Sequence, residues 1–205
     1  MPCIMNHAAD LIAYASASSS RMKAFAWFQA LLFVTMRLAM ALFVHRAAVA
    51  HSKTSTSMTI PDSKYGYTAL DLHQVFAWMG ARGRRNYILV ELVELVVFIP
   101  CYAHFLSMLL LVVHRRLGRE EPLTIYLPFV AAIFDGLENA AHIYSALYFE
   151  PSGAIQTETW LHAADVGAVS NVMKWNSLSA SLLLLCWTYG RTTVDTAAPP
   201  TKKTV

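Results

Sequence analysis

The chain has 205 residues, one domain's length; 56% belong to the AVILMFWYC set and only 14% are charged, against roughly 25% charged in an ordinary globular protein. A soluble fold of this size cannot hide so much apolar surface, and a disordered chain would not carry it. A net charge of +3 is too small to point to nucleic acid, and three cysteines (3, 101 and 186) without a CxxC pair do not build a disulfide scaffold. An integral membrane protein remains.

Residues 1–23 contain a serine run, Ser16 to Ser20, and a single acid, Asp10. That composition suits a disordered N-terminus that could serve as a targeting segment. A first span follows at 24–44, with Arg37 near its middle. Ala48-Val49-Ala50 would suit a signal peptidase, but the apolar run is long enough to be a retained helix.

The first loop holds Ile60-Pro61-Asp62, Tyr65-Gly66-Tyr67 and then Thr68-x-x-Asp71, the pattern of a capping box. Leu72, Val75, Phe76 and Met79 follow at helical spacing, and Gly80 and Gly83 close the run. This predicts a short amphipathic helix, either lying on the membrane with Arg82, Arg84 and Arg85 at lipid headgroups or capping the bundle.

Three more spans are expected, at 87–113, 123–149 and 164–189. A bilayer core of about 30 Å needs roughly 20 apolar residues in a helix. Runs such as LLCWTY and MLLLVV show no barrel-like alternation. Tyr87, Tyr126, Tyr148, Phe149, Trp160, Trp187 and Tyr189 lie near span ends and read as an interfacial belt. The expected fold is all-α: four transmembrane helices in a bundle, plus the amphipathic interfacial helix. It divides into 1–23, a membrane domain at 24–189 and a disordered tail at 190–205.

Arg115, Arg116 and Arg119, with Arg191, Lys202 and Lys203, place the 114–122 loop and the tail on the cytoplasmic side, or its equivalent. The 150–163 loop, without Lys or Arg, lies opposite. Mitochondrial and secretory-pathway membranes both suit this reading. The basic first loop, with Lys64 and Arg82 among others, runs against it.

Ionisable groups at membrane depth face a bundle interior. Asp135, Glu138, Asn139 and His142 fall within an arc of roughly 100° on the third helix, and Ser170, Lys174, Ser177 and Ser181 within a similar arc on the fourth. Glu91 and Glu94 are i, i+3 neighbours on the second. Counting about 1.5 Å per residue, these faces meet in one half of the membrane. Four carboxyls against one lysine leave charges that a low-dielectric site must protonate, hydrate or neutralise with a cation.

Three readings of the cluster stand. It is a buried ion-pair network that sets helix register, a pocket open to the outer leaflet, or, least favoured, a metal site. In the second, Asp135, Glu138 and Lys174 are the catalytic candidates, and Glu91, Glu94, Asn139, His142 and Ser170 line the binding site. A lone His142 reads as a hydrogen-bonded interior histidine. Without Glu-x-x-His or His-Glu-x-x-His, neither metal nor cofactor is expected. Cys101 and Cys186 read as buried free thiols. The partners implied are membrane lipids and a lipid-like small molecule. The activity is left unassigned between acid–base chemistry on a lipid or sterol and a transporter or assembly role.

Between Pro61 and Tyr189, about two-thirds of the chain, stand Tyr67-Thr68, Gly80-x-x-Gly83-Arg84-x-x-Tyr87, Pro100-x-Tyr102, Pro128, Asp135-x-x-Glu138-Asn139 and Ser170-x-x-x-Lys174-Trp175. On these motifs the chain resembles a widespread group of small four-helix membrane proteins to which no activity is assigned. The resemblance implies architecture rather than function. Glu91 and Glu94 depart from it, since the group has Asp-rich or polar residues slightly further along. In architecture alone the chain is similar to four-helix sterol isomerases and sigma-2-receptor-like proteins, which hold acids inside a bundle and bind sterol-like amines there; no motif aligns.

Overall fold

The computed structural model describes residues 12, 14, 17–52, 58–118, 123–151 and 156–197, with the backbone alone over 192–197. Among these residues every regular element is helical. Four long helices make the body: α1 Ser19–Ser52, α2 Ala69–Arg116, α3 Leu127–Leu147 and α4 Glu158–Ala197. Two of them, α1 and α2, are long and apolar enough to cross a membrane.

The capping box forms. Thr68 Oγ1 accepts from the Asp71 N–H at 3.2 Å, and Asp71 Oδ2 accepts from the Thr68 N–H at 2.8 Å. The Thr68 hydroxyl donates to the same carboxyl oxygen at 2.7 Å, and this bond, with that from the Thr68 N–H, holds the Asp71 carboxyl below its usual range, aided by Lys64 at 3.8 Å. Its pKa is depressed in the fold, so its stabilisation is complete above the unfolded value of about 3.9 and is lost as pH falls through the lower, folded value. Thr68→Ala is expected to cost about 1 kcal/mol. Thermal unfolding in detergent should show this deficit at pH 7, narrowing below the Asp71 titration to the part carried by the Thr68 Oγ1 bond to the Asp71 N–H, which does not titrate.

The first turns of α2 cap the bundle. Leu72, Val75, Phe76 and Met79 pack inward with Ala48, Tyr87, Phe149, Trp160 and Ala164. An interfacial helix would turn that face to lipid, so the expected membrane-surface helix is corrected to a protein-covered one. It continues into the long helix through a kink at Gly80, whose φ of 63° and ψ of 176° are accessible in practice only to glycine. Arg84 braces the corner, donating to the Phe76 carbonyl at 2.9 Å and lying over the Phe149 ring.

Further along α2, Glu94–Phe98 is a π turn. Pro100 lacks the N–H that would return to residue 96, so the ladder slips and Ile99 N–H bonds the Glu94 carbonyl. The widened turn lies where Glu94 meets the bundle interior.

Other boundaries differ from expectation. A 3-10 turn, Leu123–Tyr126, precedes α3, which stops at Leu147. The fourth helix starts at Glu158 and runs through Gly190 to Ala197, so 190–197 is helical rather than disordered. Residues 198–205 lie outside the described residues, as do most of 1–18; Ser19–Lys23 already belong to α1. Tyr87 and Trp160 are buried, not interfacial, because both have polar partners inside. Cys101 is half-buried, but Cys186 is exposed.

α3 and α4 approach through small residues. A Cβ on Gly167 would lie 2.5 Å from the Tyr67 hydroxyl and 3.2 Å from Ala141 Cβ. That space admits the segment 58–67, which descends beside α4 before α2 begins. Gly66, at φ 79°, turns it, and its N–H donates to Asn171 Oδ1 at 2.8 Å. Tyr65 donates to Asn176 Oδ1 at 3.0 Å, and Pro61–Ser63 form a 3-10 turn. Irregular backbone of this kind is stable within a bundle only where side chains satisfy it.

Candidate functional site: a buried carboxyl cluster beside an apolar cavity

The segment 58–67 delivers a residue that sequence reasoning missed. Asp62 lies between α2, α3 and α4, with Oδ1 3.6 Å from Lys174 Nζ and 3.8 Å from His142 Nδ1. A carboxyl oxygen of Asp62 also lies within 4.8 Å of one of Glu138, and one within 4.8 Å of one of Glu91. Two carboxyls in contact are bonded only when one of them carries a proton.

Lys174 holds the centre. Its ammonium is 2.5 Å from Glu138 Oε2 and 3.2 Å from Asp135 Oδ1. Lysine sits on α4 and the two acids one turn apart on α3, so the facing helices bring them together by helical spacing. Each acid has a second support. Tyr102 donates to Asp135 Oδ2 at 2.9 Å, and Asn171 donates to Glu138 Oε1 at 2.8 Å. Asn171 thereby ties Glu138 to the Gly66 turn.

His142 is wholly buried between two phenols. Tyr67 Oη is 2.7 Å from Nε2 and Tyr87 Oη is 2.9 Å from Nδ1. A neutral imidazole has one N–H and one bare nitrogen, so one tyrosine accepts and the other donates. A phenol that accepts keeps its own proton for another acceptor, and Glu91 Oε2 lies 3.8 Å from the His142 Nδ1 that Tyr87 meets. With its amide turned to donate, Asn139 reaches Glu91 Oε2 at 3.1 Å and the Asp135 carbonyl at 3.2 Å.

The structure thus brings Glu91, Asp135, Glu138, Asn139, His142 and Lys174 into one network. Glu94 is half-buried at its edge. Ser170 is buried one turn before Lys174 and is not among the residues lining the cavity described next. Of the residues missed, Tyr67, Tyr87 and Tyr102 occur in the recognised motifs without a signal of role, and Asn171 adjoins Ser170. Asp62 had only its proline-anchored turn, a pattern shared with any surface loop.

Ligand atoms of Asp62, Glu138 and His142 lie within 4.8 Å of one another, as do those of Asp62, Glu91 and Glu94. Both nitrogens of His142 are already bonded to phenols, so it has no lone pair to spare in the first set. The second is all-oxygen, the kind of set that hard cations take.

A cavity of about 470 Å³ opens beside the network. Its lining includes Asp62, Glu94, Asp135 and Lys174 together with Phe33, Met36, Phe98, Phe105 and Leu178. Phe33 and Arg37 of its lining also reach the outer surface of α1. Arg37, the cation expected to be costly inside the first helix, extends to Ser63 Oγ at 3.4 Å. Trp175 lines the cavity with a buried indole N–H that has no partner. Five carboxyls (Asp62, Glu91, Glu94, Asp135 and Glu138) thus stand against two cations, Lys174 in contact with three of them and Arg37 in the cavity lining.

No protein family, curated protein or solved structure matches the chain.

Proposed function

We propose that this is a multi-pass membrane protein whose four helices span the bilayer and hold an amphipathic, lipid-like molecule with a basic head. The span reading is supported by inverted polarity. Ile133, Leu137 and Leu147 of α3 and Val166, Val169, Leu183 and Trp187 of α4 face outward, while Asp135, Glu138, His142 and Lys174 face inward. The interior acids and lysine lower the average apolarity of α3 and α4, although their outer faces suit lipid.

The observation that carries the ligand reading is the cavity's polarity. Its walls are largely apolar, and they include members of an acidic cluster with more carboxyls than cations. An amine head would place a positive charge among those acids and its chain against phenylalanine and methionine. A closed structural network would leave no such space. A second reading follows from Asp135 Oδ1, which has no hydrogen-bond partner but sits 3.2 Å from Lys174 at the cavity wall. That oxygen could exchange a proton with a bound lipid or sterol, making the pocket an acid–base active site.

Dimethyldecylamine is the test probe, titrated into the full chain in lipid nanodiscs. Saturable binding is expected, weakened about tenfold, or about 1.4 kcal/mol, by Asp135→Asn. Partitioning without saturation would sink the ligand reading. The spans are checked separately by labelling single cysteines at Gly118 and Pro151, with Cys3, Cys101 and Cys186 replaced by serine. Labelling from opposite sides is expected, and labelling from one side would rule out the four-span arrangement.

A further inference from the structure

Gln29 is the polar residue that the acidic cluster does not explain. On α1 its neighbours Trp27, Phe28 and Leu31 face outward. Gln29 itself is only 9% exposed, lines the cavity, and has a buried Oε1 with no hydrogen-bond partner. A buried amide oxygen left unsatisfied is costly, and more so at membrane depth, where water does not compensate it. Leucine or phenylalanine would fill the place without that cost.

Its position along the bundle is set by two ring contacts between the antiparallel helices α1 and α2. Phe25 meets Phe105 with ring centroids 6.0 Å apart, and Phe33 meets Phe98 at 6.3 Å. Gln29, midway between Phe25 and Phe33, is therefore level with the stretch of α2 between Phe98 and Phe105. Glu94 and Arg37 lie toward the other end. Eight residues separate Gln29 from Arg37, about 12 Å of helix. The cavity between them is walled by Phe33, Met36, Phe98 and Tyr102.

We infer that the occupant is polar at both ends: a basic head beside Asp62 and Glu94, and a hydroxyl or similar hydrogen-bond donor, about 12 Å away, that the Gln29 amide oxygen accepts. This rests on the pocket reading and narrows it from any basic amphiphile to one with a distal donor. The apolar span between the two ends matches a saturated chain or a fused-ring body.

The test compares two probes in nanodiscs holding the full chain: dimethyldecylamine, and dimethylamino-decanol with its hydroxyl on the carbon farthest from nitrogen. After correction for membrane partitioning, the wild type should bind the amino alcohol about tenfold more tightly, since a site built to hydrogen-bond a hydroxyl discriminates against its absence. In Gln29→Leu the ratio of the two affinities should fall to about one. Gln29→Met supplies the same ratio should the leucine variant fail to fold. A wild-type ratio near one, or a preference that survives both substitutions, overturns the inference while leaving the basic-head pocket intact. Saturable binding of neither probe refutes the pocket reading itself, and the inference with it.

Discussion

Lys174→Met should destabilise the protein by about 3–5 kcal/mol, the usual cost of removing one partner of a buried ion pair. The ammonium faces Glu138, Asp135 and Asp62 at 2.5, 3.2 and 3.6 Å. Without it three carboxyls confront one another in a largely buried site. They must then take up protons, or the segment carrying Asp62 must leave the bundle. Because Glu138 is the closest acid and wholly buried, Lys174→Met with Glu138→Gln should recover part of the loss. Asp135→Asn in its place should recover less, since Tyr102 still supports that oxygen pair. Thermal unfolding in detergent measures all four proteins. A harmless Lys174→Met, or a double variant no better than the single one, would show that this lysine does not neutralise the cluster.

His142→Phe is the second large effect. The ring volume is kept, but the hydroxyls of Tyr67 and Tyr87 both lose a partner. Each stranded group costs about 1–3 kcal/mol, so a loss of about 2–6 kcal/mol is expected. The triple variant with Tyr67→Phe and Tyr87→Phe removes the stranded groups and should regain most of it, since replacing all partners by apolar groups of the same shape is nearly neutral. The measurement is again the unfolding midpoint in detergent. If the triple variant is less stable than His142→Phe alone, the phenols have other partners, with Glu91, which also approaches His142 Nδ1, the first to examine.

Much of the interior was legible before any coordinates. Asp135, Glu138, Asn139 and His142 share one helical face by arithmetic, and Lys174 falls at a matching depth, so their meeting required only that two antiparallel helices pack. The capping box at Thr68 and Asp71 was equally local: three residues of spacing and two side-chain types specify it. The helix it opens was predicted too, but not what covers its apolar face. Leu72 and Phe76 suit lipid and Trp160 equally well, and hydrophobicity does not name the partner.

Composition and helical period by themselves determined an all-helical chain with its polar residues turned inward, because both follow from interactions within a few residues or from the medium around the helix. Tertiary structure alone decided the contents of the site. Asp62 is 73 residues before Asp135 and 112 before Lys174, and it reaches them because Gly66 turns, Gly167 leaves room and Asn171 accepts a backbone N–H. The cavity is likewise a property of no single segment. It is the space left where a π turn before Pro100 widens α2 and a loop enters between helices, and volume between elements is set by their packing rather than by the pattern along any one of them.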